Sequence, residues 1–126
     1  MPTIATAFAE TTKRSLTHQD MSKRVLRLYR KYLREAPVFI ELYELDLPVA
    51  AVRTKIRQEF ERNRFQKDLS VTNVLYAKGQ MEFQELTNFW KQTPHVMRYF
   101  ENEGETAWAP HAQVQDTFVN KFLKGF

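Results

Sequence analysis

Cysteine is absent from the chain, and with it go a disulfide framework, a thiolate zinc site and a cysteine nucleophile. Glycine and proline are scarce, at three and five residues in 126, which is little turn chemistry for an all-β fold of many short strands. No apolar run approaches the ~20 residues that a helical membrane span requires. His18, His95 and His111 stand apart, with no His-x-x-x-His spacing for a metal. A glycine-rich phosphate loop, a nucleophile elbow and a Ser/His/Asp grouping are all missing. Glu82 and Glu85 lie three apart, but without a second Glu/His pair they read as a solvated face rather than a di-metal site. The sequence supports no enzyme, no bound metal and no cofactor of the chain's own.

What is present points to helices. Hydrophobic residues make up 43% and charged residues 27%, the profile of a soluble globular protein of one domain. Strong helix formers dominate the interior, so the expected fold is all-α. The net charge is +4, and the excess is local: from Lys13 to Arg34 there are eight Lys/Arg and one acid, Asp20. Such asymmetry calls for an acidic partner surface, be it nucleic acid, an anionic membrane or a protein.

Asp20 and Ser22 offer N-caps for a first helix running to about Arg34. Met21, Val25, Leu28 and Tyr32 follow at spacings of four, three and four, one helical face. Lys23, Arg27, Arg30 and Arg34 repeat those spacings on the opposite side, beside Lys31. Pro37 is expected to end this helix, with at most a short turn over Val38 to Tyr43. Pro48 opens a second helix with Val49, Val52, Ile56 and Phe60 buried and Arg53, Lys55 and Arg57 carrying its charge. Asp68 or Ser70 caps a third, whose expected seam is Val71, Leu75, Gly79, Phe83, Leu86 and Trp90. Gly79 costs ~1 kcal/mol against alanine inside a helix, so its place on that seam implies close approach of another backbone or a ligand. Pro94 is expected to kink or end the third helix, with His95 to Phe100 resuming it.

Outside this unit lie two flanks. Residues 1–19, rich in Ala and Thr with Lys13, Arg14 and Glu10, read as a flexible arm that loosely resembles a mitochondrial targeting segment. Residues 101–126 read as an extended tail with a short amphipathic helix: Val114, Phe118 and Phe122 on one line, Val119, Leu123 and Phe126 on the next.

Leu28-Tyr29-Arg30 early on a basic helix, Phe60 near the end of a second helix bearing Arg53 and Arg57, and a long third helix together resemble the LYR-motif family. The likeness covers about residues 20–92. The run Phe89-Trp90-Lys91-Gln92-Thr93-Pro94-His95-Val96-Met97-Arg98-Tyr99-Phe100 is similar to the family's accessory-subunit branch in mitochondrial respiratory complex I. The resemblance implies an antiparallel three-helix bundle over residues 20–100 that binds the mitochondrial acyl carrier protein and takes its acylated phosphopantetheine arm into the interior.

On that likeness Leu28 and Phe60 would line an acyl tunnel, walled further by Val25, Val52, Ile56, Leu75 and Gly79. Tyr29 and Arg30 would stand at its mouth. The cations Lys23, Arg27, Arg34, Arg53 and Arg57 would face the carrier, whose surface is acidic. Core subunits of the complex would meet Leu42, Tyr43, Phe89, Trp90 and Trp108. The expected protein is then a non-catalytic adaptor on the matrix side of the inner membrane, not a homo-oligomer and not bound to nucleic acid. An adaptor for another mitochondrial client, and a basic helical module for nucleic acid or membrane, remain as alternatives at this point.

Overall fold

The computed structural model describes residues 4–7, 9–10, 13–101, 119, 122–123 and 125. Among them the fold is all-helical, with four helices and no strand: α1 (His18–Leu42), α2 (Val49–Glu61), α3 (Leu69–Thr87) and α4 (Thr93–Glu101). Both α2 and α3 pack on α1.

Contacts along α1 set the directions. Near its middle Tyr32 meets Phe60, at the end of α2, with ring centroids 5.8 Å apart. Since α2 begins just past the end of α1, it runs back along it. Going up α1, Tyr32 donates to the Gly79 carbonyl at 2.8 Å and Tyr43 to the Leu86 carbonyl at 2.9 Å, so α3 runs in the same sense as α1.

The N-cap of α1 is Thr17, whose side chain accepts the Asp20 N–H. Asp20 therefore lies in the first turn, where a negative charge suits the helix dipole, and neither expected cap is used. Pro37 does not end α1, which continues to Leu42. Proline leaves the Leu33 carbonyl without its helical donor, yet the helix carries on because Ala36, Phe39 and Tyr43 are all buried around and beyond it. Asp68 caps α3 by accepting the Ser70 N–H at 3.0 Å.

The ends of α1 and α3 share one device. Tyr43 and Asn88 are the C-caps, followed by Glu44 (φ 51) and Phe89 (φ 59) in the left-handed region. Leu45 N–H then reaches back to the Ile40 carbonyl and Trp90 N–H to the Glu85 carbonyl, both at 3.0 Å, the six-to-one bond of a Schellman motif. Thus α3 stops at Thr87 by a capping turn, well before Pro94, and Pro94 instead sits in the first turn of α4.

The core has two lobes. One gathers Met21, Leu28, Phe39, Tyr76 and Phe83, with Val25, Tyr32, Phe60, Leu69 and Leu86 against it. In it Tyr32 meets Phe39, Phe60 and Phe83 edge-on. The other joins Tyr43, Leu45 and Val96 and seats α4. On α3 the most buried line is Tyr76, Gln80, Phe83 and Thr87; of the expected seam, Phe83 and Leu86 are in the core and Gly79 lies against Leu28, while Val71 and Trp90 are exposed, as are Val74 and Met81. The line carries polar residues because Thr87 bonds its own helix at Phe83 O and Gln80 donates to the Tyr76 hydroxyl.

Stretches of the N-terminal arm lie along α3. Asn73 accepts the Ser15 N–H at 2.9 Å and donates to the Ser15 carbonyl. Asn88 donates to the Ala5 carbonyl. Glu10 pairs with Lys31 at 2.7 Å and accepts from the Tyr76 hydroxyl at 3.1 Å. Hydrogen bonding from Lys31 holds the Glu10 carboxyl below its ordinary range, against the opposing effect of burial. In the tail, Val119, Phe122 and Leu123 are helical and exposed; Val114, Phe118, Phe126 and Trp108 lie outside the described residues.

Candidate functional site

The Leu28-Tyr29-Arg30 tripeptide falls mid-way along α1 and each residue has a different environment. Leu28 is 2% exposed in the main core. It lies so close to α3 that a Cβ built on Gly79 would stand 3.0 Å from Leu28 Cδ2. The close approach expected at Gly79 is thus made by Leu28, helped by the Tyr32 hydrogen bond to the same residue. Tyr29 is half-buried, its ring edge-on to Phe60 at 5.2 Å, so it has a packing partner that its position in the sequence did not reveal. Arg30 is exposed.

Of the seven expected tunnel residues, Val25, Leu28 and Phe60 share the main core, and Gly79 touches Leu28. Val52 is buried and Ile56 and Leu75 are half-buried, but none of these three belongs to that cluster. Where the likeness implies a tunnel, side chains are packed on one another, and the ring of Phe60 closes against Tyr29 and Tyr32.

The cations divide into two groups. Arg24 is structural: its guanidinium lies 4.4 Å from the Tyr76 ring centroid and donates to Ser15 Oγ at 2.8 Å. Lys31 is taken by Glu10. Lys55, expected on the charged face of α2, is 7% exposed and pairs with Glu59 at 3.4 Å. The ion pair compensates the buried charge. Arg62 and Arg64 pair with Glu59 and Glu61.

By contrast Lys23, Arg27, Arg30 and Arg34 on α1 and Arg53 and Arg57 on α2 are all exposed. Among the described residues none of the six has an acid within ion-pairing distance. These are the cations that sequence reasoning assigned to a partner. With no ion pair among the described residues to cancel them, these charges favour encounter with an acidic partner.

The expected complex contacts are scattered. Tyr43 is not an exposed aromatic: it is 1% exposed, because its hydroxyl ties α1 to the end of α3 and its ring anchors the second core lobe. Leu42 is half-buried beside it. Phe89 is 41% exposed and leans on Tyr43 with centroids 5.2 Å apart. Trp90 is exposed. Sequence reasoning missed Ala36, Lys55 and Ser15 as buried positions; only Ala36, in step with the α1 apolar line, carried a signal.

No group of three or more His, Asp or Glu among the described residues is placed to hold a metal. No described helix is long and apolar enough to cross a membrane.

The family model described as Complex 1 protein (LYR family) matches residues 23–85, half of the chain, a span that holds Leu28-Tyr29-Arg30, Phe60 and nearly all of α3. The chain belongs to this family. It is also similar to NADH dehydrogenase (ubiquinone) 1 alpha subcomplex subunit 6 of Dictyostelium discoideum, with 27% identity over 89 residues covering 71% of this chain and 72% of that protein.

Proposed function

We propose that the chain is a non-catalytic accessory subunit of mitochondrial NADH:ubiquinone oxidoreductase, and that it anchors an acylated acyl carrier protein on the matrix arm. The observation that carries the reading is the set of exposed cations on α1 and α2, none with an acidic partner among the described residues, in a chain of the LYR family. The similar subunit named above favours complex I over another mitochondrial client.

In this reading α1, α2 and α3 act as the three-helix unit. Lys23, Arg27, Arg30, Arg34, Arg53 and Arg57 meet the acidic carrier, and such rim charges govern association rate and salt dependence. The acyl chain, supplied on the carrier's phosphopantetheine, enters between Leu28, Phe60 and Gly79. Each buried methylene contributes ~0.8 kcal/mol, so about eight would give about 6 kcal/mol before ordering costs. Because those side chains are closed on one another, entry separates them, and part of that gain is spent in opening the seam. At the other end of α1, Leu42 and Phe89 support core subunits near the quinone-reduction region, and buried Tyr43 holds them in place rather than touching a partner. Phe89 suits such a role: a bulky residue in the left-handed region is strained, and strain of this kind gathers at functional positions.

The test is complementation of cells lacking this chain with an Arg27→Glu/Arg30→Glu variant, followed by isolation of complex I. The expected result is an enzyme depleted of the carrier protein. Full carrier content in the variant complex would overturn the assignment of this surface.

A further inference from the structure

The N-terminal arm bonds to both α1 and α3, and it does so in two different ways. At Ser15 it is anchored. The Ser15 N–H donates to Asn73 Oδ1 at 2.9 Å, its carbonyl accepts from the same amide, and its hydroxyl accepts from Arg24 at 2.8 Å. Ser15 is buried, so this end of the arm belongs to the packed unit. At Glu10 the arm is held at the surface. One carboxylate oxygen pairs with Lys31 of α1 at 2.7 Å, and the other accepts from the Tyr76 hydroxyl of α3 at 3.1 Å. Both members of the ion pair are more than a third exposed, so the contact is weak and easily parted.

The position of Glu10 along the helices matters. Lys31 follows Leu28 by three residues and Tyr76 precedes Gly79 by three, each about one helical turn. The Lys31–Glu10–Tyr76 clasp therefore joins α1 to α3 at the level of the Leu28–Gly79 contact. Among the described residues Lys31 is the one cation of α1 in an ion pair. Glu10 is likewise the one arm side chain there that bonds to both helices.

We propose that the arm is a latch on the α1–α3 seam, closed by Glu10 in the free chain and released when an apolar chain enters between Leu28 and Gly79. The identity of that apolar chain rests on the carrier reading above. Parting Leu28 from Gly79 draws Lys31 away from Tyr76, and one carboxylate at hydrogen-bond distance from both cannot follow both. The anchor at Ser15 is independent of the clasp, so the arm swings out from that point and stays attached to the fold. The latch makes the closed seam the resting state. A carrier without an acyl chain gains nothing from the open seam and so does not shift it.

The test compares the wild-type full chain with Glu10→Gln and Tyr76→Phe, each verified as folded by circular dichroism. Titration calorimetry reads affinity for acylated carrier protein. Each variant should bind about two- to fivefold more tightly, the weight of one exposed contact. The double variant should gain no more than the better single one, since both substitutions cut the same clasp. Tyr76→Phe leaves the charge unchanged, so a gain confined to Glu10→Gln would reflect only the loss of an acid near an acidic partner and would overturn the latch. No gain in either variant, beside normal wild-type binding, would overturn the latch and leave the anchoring reading standing. A wild-type chain that binds no carrier would instead remove the anchoring reading, and release by an apolar chain with it. Hydrogen exchange over residues 76–83 tests the closed state without any carrier: Glu10→Gln should speed it severalfold, and unchanged exchange would overturn the latch.

Discussion

The contact between Leu28 and Gly79 can be probed by a double-mutant cycle, because the structure predicts that the two positions do not act independently. Leu28 is 2% exposed in the main core, so Leu28→Ala removes buried methylenes and leaves a cavity, at a cost of about 3 kcal/mol. Gly79→Ala gains about 1 kcal/mol of helix propensity. Its new methyl, however, would stand 3.0 Å from Leu28 Cδ2, and forcing extra volume into a packed site costs about 1–3 kcal/mol. Alone it should therefore lose up to about 2 kcal/mol, giving an additive expectation of about 3–5 kcal/mol for the pair. In the double variant the methyl enters space that Leu28 has left, and the propensity gain is kept. The pair should then lose only about 2 kcal/mol, a coupling of about 1–3 kcal/mol. Urea unfolding followed by far-ultraviolet circular dichroism reads these differences as midpoint shifts at constant slope. Additivity within about 0.5 kcal/mol would refute the contact, and with it the seam through which the acyl chain is proposed to enter.

Two further outcomes follow from named contacts. The depressed Glu10 carboxyl contributes stability that is complete above its unperturbed value of 4.5 and is lost as pH falls through the lower folded value. Both partners of the Lys31 pair are more than a third exposed, so solvent screening keeps the effect under about 1 kcal/mol. Glu10→Gln should nonetheless loosen the arm and speed tryptic cleavage after Lys13 and Arg14 at neutral pH; an unchanged rate would mean the ion pair does not hold the arm. Pro37→Ala restores a donor to the Leu33 carbonyl inside α1 and should stabilise the chain by about 1–3 kcal/mol. A lowered melting temperature would show that the helix relies on the proline.

The spacing of Met21, Val25, Leu28 and Tyr32 was sufficient to identify the buried face of α1, because the helix obeys its own period. Its end was misread: proline's local cost is visible in sequence, whereas burial of Phe39 and Tyr43, which offsets it, depends on where α3 passes. The seam of α3 was legible at Gly79, Phe83 and Leu86 and missed elsewhere for a related reason. Val71, Val74 and Met81 are apolar but exposed, while Gln80 and Thr87 are polar but buried, and their hydrogen bonds with Tyr76 and Phe83 cannot be read from hydropathy. Lys55 sits between Arg53 and Arg57, and only the packed geometry separates the buried cation from its exposed neighbours. The exposed cations of α1 were legible because they share one face. That they have no acidic partner among the described residues, while Arg24, Lys31 and Lys55 have contacts of their own, was not.

The most direct test of the account is native mass spectrometry of the full chain co-expressed with mitochondrial acyl carrier protein, acylated or not, beside an Arg30→Glu variant. The account predicts a one-to-one complex that requires the acyl chain and is lost in the variant. No complex with either form of the carrier would contradict it.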